Sequence, residues 1–182
     1  MRHIKIVNPI LLIISLFLIT SCSNNSTMKP EDFKNKEPRL VIEEYLTGNV
    51  KAWGVLQNRS GKVTRQFSAD LDGSWDGKQL ILKEKFNWND GEVQNREWTI
   101  TKIDENNYEG TAGDVVGKAI GYSYGPAFKF EYVLLVPVKG KEMKITFDDW
   151  IFKQDDRVAI NRATMTKFGF KVAELTVVFV KD

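Results

Sequence analysis

Lys78-Gln79-Leu80-Ile81-Leu82-Lys83-Glu84-Lys85-Phe86-Asn87-Trp88-Asn89-Asp90-Gly91-Glu92-Val93-Gln94-Asn95-Arg96-Glu97-Trp98-Thr99-Ile100 reads as a β-hairpin. Apolar residues recur two apart on either side of Asn89-Asp90-Gly91, whose glycine supplies the left-handed position of a three-residue loop. That loop sets Trp88 against Glu92. Counting back places Phe86 opposite Gln94, Glu84 opposite Arg96, Leu82 opposite Trp98 and Leu80 opposite Ile100. A two-residue turn would instead oppose Glu84 to Glu97, which like-charge repulsion disfavours.

The same arithmetic extends in both directions. Upstream, a turn at Asp76-Gly77 places Leu71 opposite Leu82, Ala69 opposite Glu84 and Phe67 opposite Phe86; Arg59-Ser60-Gly61 sets Trp53 against Phe67 and Val55 against Arg65. Downstream, Lys139-Gly140 sets Leu134 against Ile145, Tyr132 against Phe147 and Phe130 against Asp149. The turn Gln154 to Arg157 then opposes Asp149 to Arg162 and Ile151 to Ile160, and Phe168-Gly169 opposes Ile160 to Val177 and Val158 to Phe179. One face comes out apolar throughout and is taken as the interior.

The period of two runs from Lys51 to the end. It predicts strands over Lys51–Asn58, Val63–Gly73, Lys78–Trp88, Glu92–Ile103, Asn107–Gly113, Lys118–Tyr124, Ala127–Val138, Lys141–Lys153, Val158–Lys167 and Phe170–Lys181. A meander of about ten strands curls, and closing it removes both edges, so the expected fold is all-β: an antiparallel, up-and-down, lipocalin-like barrel. A short helix is expected between Pro38 and Gly48, with Leu40, Val41, Glu44 and Tyr45 at helical spacing.

The chain has 182 residues, one His and one Cys, both near its start. His3 lies between Arg2 and Lys5, ahead of the apolar run Ile10–Ile19, which is about half the roughly 20 residues of a membrane-spanning helix and reads as the core of a signal peptide. Ile19-Thr20-Ser21-Cys22 follows and resembles a bacterial lipobox, in which the Cys is acylated and becomes the N-terminus. The expected organisation is thus a signal peptide over 1–21, a lipidated Cys22 with a flexible tether over 22–37, and one barrel domain over 38–182. Ser23 after the Cys, in place of an Asp retention signal, points to the outer membrane and its periplasmic face.

Such a mature chain keeps no His and no free thiol. It therefore lacks the groups for Ser-His-Asp or Cys-His catalysis, His or Cys zinc sites and disulfides. Losing Arg2 and Lys5 also leaves its acidic and basic side chains equal in number, with no basic surplus for nucleic acid.

The interior face nonetheless carries Glu84 with Arg96, Asp149 with Arg162, and Arg65 without a partner. Two roles fit these charges. The pairs could satisfy themselves across the strands, or the arginines could hold an anionic head group in a ligand cavity lined by Phe67, Phe86, Trp98, Phe130 and Tyr132. Asp148 with Asp149 and Glu84 with Asp114 are the carboxylate pairs that acid–base chemistry or a metal would use, but Asp148 and Asp149 are strand neighbours and point to opposite faces. Asp148, Trp150 and Asn161 are expected together on the outer face, pinning the N-terminal helix or tether. The glycines at 113, 117, 121 and 125 match no nucleotide-binding motif and suit a tightly turning strand or lid.

Ala52-Trp53-Gly54, Gly73-Ser74-Trp75-Asp76-Gly77, Asp114-Val115-Val116-Gly117-Lys118-Ala119-Ile120-Gly121, Phe147-Asp148-Asp149-Trp150, Asn161-Arg162 and Lys167-Phe168-Gly169 together resemble an uncharacterised group of Gram-negative lipoproteins, domain of unknown function 3833. The likeness runs from about Tyr45 and departs at Gly125-Pro126-Ala127, where Gly-Asn-Ala is the expected pattern. It implies a lipocalin-like barrel and an envelope location and carries no activity. The expectation is a non-catalytic, membrane-anchored binding protein for a lipid or other amphipathic small molecule, with no cofactor or metal. The alternative is a filled barrel meeting an envelope partner through an outer patch at Trp150, Phe152, Met165 and Val178.

Overall fold

The computed structural model describes residues 28–138 and 140–182. The signal peptide and Cys22 lie outside these residues. Ten antiparallel strands run β1 (Gly48–Asn58), β2 (Val63–Trp75), β3 (Gln79–Trp88), β4 (Val93–Lys102), β5 (Asn107–Ala112), β6 (Ala119–Tyr124), β7 (Ala127–Val138), β8 (Lys141–Lys153), β9 (Val158–Lys167) and β10 (Phe170–Lys181). Each pairs with its neighbours in sequence, and β1 closes on β10 from Val50 opposite Lys181 to Asn58 opposite Ala173. The up-and-down barrel expected from the period of two is the one observed.

Turn chemistry divides the two ends. At one end, Asp76, Asp104 and Asp155 each open a turn by accepting two backbone N–H groups, those of Lys78 and Gln79, Asn106 and Asn107, and Arg157 and Val158. At the other end, Gly61, Gly91, Gly140 and Gly169 take positive φ in the hairpins.

The hairpins β3–β4 and β7–β8 have the expected registers, Glu84 opposite Arg96 and Phe130 opposite Asp149 included. Three others slip by one residue. A bulge at Leu56/Gln57 places Gly54 and Leu56, rather than Trp53 and Val55, opposite Phe67 and Arg65, and Trp53 faces solvent. The β8–β9 loop is one residue longer than counted, so Trp150 opposes Arg162 and Ile151 opposes Asn161. A second bulge at Lys171/Ala173 sets Ile160 against Val178. Between β2 and β3 the shift is two residues, Leu71 facing Glu84 and Phe67 facing Trp88, which preserves the faces.

The Asp-turn end is sealed by residues 38–47. Leu40 and Ile42 are both fully buried, and side chains two apart can enter the same core only from extended chain. The expected helix is therefore reduced to one turn, α1 (Ile42–Tyr45), and Pro38 stands outside it. Backbone contacts hold this strap: Leu40 N–H donates to Gly125 O at 2.7 Å, Ser123 Oγ to Leu40 O at 2.9 Å, and Tyr45 Oη to Arg157 O at 3.0 Å. Ahead of it, a 3-10 turn over Pro30–Phe33 sets the Phe33 ring 6.0 Å from Trp150 and 5.5 Å from Phe152 on the outer wall. The part of the tether from residue 30 is thus docked, and Trp150 is buried beneath it. The outer patch expected to meet a partner is covered there by the chain itself, while Met165 turns inward.

The strap lies so close to β2 that a Cβ on Gly73 would stand 1.8 Å from Leu46 O, whereas one on Gly113 would meet nothing within 4 Å. Gly73→Ala is expected to cost at least about 2 kcal/mol of stability and Gly113→Ala to stay within about 0.5 kcal/mol, as read from urea unfolding midpoints.

Candidate functional site

Above the strap the interior opens into a cavity of about 270 Å³, near the lower bound of small-molecule sites, roughly 300–1,000 Å³. Its wall is aromatic. Trp98 lies 5.2 Å from Phe130 and 5.3 Å from Tyr132, which stacks on Phe147 at 5.0 Å; Phe67 meets Phe86 at 5.2 Å and Trp88 at 4.9 Å. All seven rings project from alternate positions of β2, β3, β4, β7 and β8, as a period of two requires. Glu92, Gln94 and Pro137 carry the lining out to the glycine-hairpin rim, away from the strap.

Within this apolar wall sits a polar cluster. Arg96 grips Asp114 with Nε at 3.0 Å and Nη2 at 2.7 Å from Oδ2, while its Nη1 stands 3.9 Å from Glu84 Oε2. Glu84 Oε2 is buried and accepts no hydrogen bond. Burial pushes the Glu84 carboxyl up to about 7; Arg96 opposes the rise, while Asp149 and Asp114 add to it. Across the cavity, Tyr132 Oη donates to Asp149 Oδ2 at 2.8 Å and Asn161 Nδ2 donates to Asp149 Oδ1. Burial also raises Asp149, more than those two donors lower it.

The structure brings Glu84, Arg96, Asp149, Phe67, Phe86, Trp98, Phe130 and Tyr132 together on the cavity wall. It removes two of the three arginines as free anion-binding groups. Arg162 lies on the outer face with its side chain 69% exposed, because the β8–β9 register is one residue from the expected one. Arg65 is not partnerless: at the rim its guanidinium stacks 4.0 Å from the Trp88 ring and reaches Asp90 at 2.8 Å and Glu92 at 2.7 Å. Asn161, expected outside, is the buried partner of Asp149. Trp88 and Gln94, joined at 3.3 Å, also line the cavity, and their place in the first hairpin was the signal available for them. The four glycines do not form a lid: Gly117 turns the β5–β6 loop, Gly121 admits Phe128, and Gly125 passes under Phe33 O. Among the described residues no three His, Cys, Asp or Glu side chains converge as metal ligands.

The family described as "Protein of unknown function (DUF3833)" matches residues 16–181. No curated protein matches the sequence. Among solved structures, the S-type phycobiliprotein lyase CPES from Guillardia theta is similar at a TM-score of 0.58 and 10% identity, covering 77% of this chain and 90% of that one. A protein of unknown function from the DUF3598 family of Nostoc punctiforme is similar at 0.60 and 16% identity over 81% of this chain, which spans about half (51%) of that longer protein. At such identities the likeness is one of fold, the lipocalin-like barrel.

Two measurements test the cluster. A carboxyl whose folded pKa is raised binds its proton more tightly in the native state, so stability falls as the pH climbs from the ordinary value of 4.5 to about 7. Asp149 acts with the same sign. Removing the ionisation with Glu84→Gln should flatten that slope, worth on the order of 3 kcal/mol, in urea midpoints taken from pH 4.5 to 8. An unchanged slope would show that Glu84 titrates normally. Asn161→Leu, which strips a donor from buried Asp149, is expected to cost about 2 kcal/mol or more, while Arg162→Met stays within about 0.5 kcal/mol in the same assay.

Proposed function

This chain belongs to DUF3833, a family of unknown function, and we propose that it is a non-catalytic lipoprotein whose barrel binds an amphipathic small molecule with an aromatic or otherwise apolar body. The observation that carries this reading is the cavity: an aromatic interior, sealed by the strap at one end, open at the other and holding a few fixed polar groups. A barrel evolved only as a scaffold would fill that volume with side chains, because empty interior forfeits packing energy. Among the described residues the cavity lining holds no His, Cys, Ser, Thr or Lys, and the Tyr132 hydroxyl that donates to Asp149 is pushed well above its ordinary pKa by burial. The carboxylates are engaged with Arg96, Tyr132 and Asn161, save for Glu84 Oε2, which accepts no hydrogen bond. The alternative of a partner-binding patch at Trp150 and Phe152 is disfavoured because Phe33 occupies it.

In this proposal Cys22 is acylated and holds the protein on the periplasmic face of the outer membrane, which the sequence Ile19-Thr20-Ser21-Cys22 supports. One mass-spectrometric experiment addresses both parts. Protein purified from its native membrane is weighed intact and its organic extract is analysed. The expected results are an acylated chain beginning at Cys22 and an extractable amphiphile approaching one per chain. An unmodified N-terminus would overturn the anchor. An empty extract, together with no fluorescence gain from the neutral probe N-phenyl-1-naphthylamine, would overturn the binding role.

A further inference from the structure

The charge inside the barrel is lopsided. Two arginines and four carboxylates line the cavity, and the carboxylates are Glu84, Glu92, Asp114 and Asp149. Arg65 spends its charge at the rim on Asp90 and Glu92, and Arg96 is clasped by Asp114. That leaves Glu84 and Asp149, both on the cavity wall, without a cation of their own in hydrogen-bond contact. Asp149 takes its hydrogen bonds from two neutral donors, Tyr132 and Asn161. Glu84 takes none at Oε2, from which Arg96 Nη1 stands 3.9 Å away.

A buried carboxylate is tolerated only when something compensates its charge. An anionic head group entering here would add to a lining in which carboxylates already outnumber arginines and would have to displace Asp114 from Arg96. A cationic head group would meet two carboxylates that no lysine or arginine holds by a hydrogen bond. Resting on the binding role above, we infer that the cavity selects an amphiphile whose head group is a protonated amine or an equivalent cationic donor, received by Glu84 and Asp149, over one that ends in a carboxylate or phosphate. The aromatic walls suit such a ligand, since rings such as Trp98 and Tyr132 present faces that attract cations. No chain-borne Lys or Arg fills this role among the described residues, because the cavity lining contains no lysine and its two arginines are committed.

Three isosteric probes isolate the head group: 4-phenylbutylamine, 4-phenylbutan-1-ol and 4-phenylbutanoate. Each is titrated at pH 7.5 by calorimetry into the full-length protein in phosphatidylcholine nanodiscs, with empty nanodiscs as the blank. The expected order is amine, alcohol, acid, with the amine at least tenfold tighter than the acid. Glu84→Gln and, independently, Asp149→Asn should each erase most of the amine's advantage over the alcohol. The wild-type comparison stands even where a variant fails to fold. Equal binding of amine and acid, or a preference for the acid, would overturn the head-group assignment and leave the binding role intact. Failure of all three probes and of N-phenyl-1-naphthylamine would overturn the binding role itself.

Discussion

Everything inside this protein depends on the pairing of β1 with β10. Nine residue pairs join the two ends of the meander, from Val50 with Lys181 to Asn58 with Ala173. Without them the sheet would keep two edges with unpaired N–H and C=O groups and an apolar face open to water. With them, one face becomes an interior, and each residue on it is either packed or must answer for its polarity. The division into Asp-turn and glycine-hairpin ends then follows from alternation alone, because each odd-to-even connection falls at the same rim.

The cost of being inside is clearest in two buried carboxylates. Glu43, in the strap, is among the most buried charged residues, and burial alone would push its carboxyl up. Lys102 and the Tyr108 hydroxyl both donate to it, and together they hold it below the ordinary range. Glu84 lies in the cavity wall with a cation near but out of hydrogen-bond range, and burial prevails. The two residues differ in their donors rather than in their chemistry. The sealed end spends its polar groups on holding the fold, whereas the cavity leaves Glu84 Oε2 without a donor.

Strand number, order and most boundaries were legible because alternation and turn glycines are local signals. Registers were legible only where the loop was short and free of bulges. Asn89-Asp90-Gly91 fixes Glu84 against Arg96 without ambiguity, whereas nothing in Val63-Thr64-Arg65 or Lys171-Val172-Ala173 announces an extra residue. Those one-residue slips exchange the faces of a strand, and they decided the site. Asn161 and Arg162 traded places, and with them went the reading of Asp149 as half of an ion pair. On β9 the two faces are too alike in hydropathy to correct the count, since Ile160 points outward and Ala159 and Ala163 point inward. Arg65 was placed inward, but the loop acids that bind it belong to the neighbouring hairpin, a relation no single-strand pattern displays.

The docked N-terminal segment gives the barrel a mechanical asymmetry. Its contacts are arranged in series along the chain: Phe33 on Trp150 and Phe152, then Leu40 on Gly125 and Ser123, then Leu40 and Ile42 in the core, then Tyr45 on Arg157. Tension arriving from residues before 28 would load these one at a time, as a peel rather than a shear. Release of the strap would uncap the end of the barrel opposite the existing mouth. The protein is built so that a pull on its N-terminus acts first on its floor.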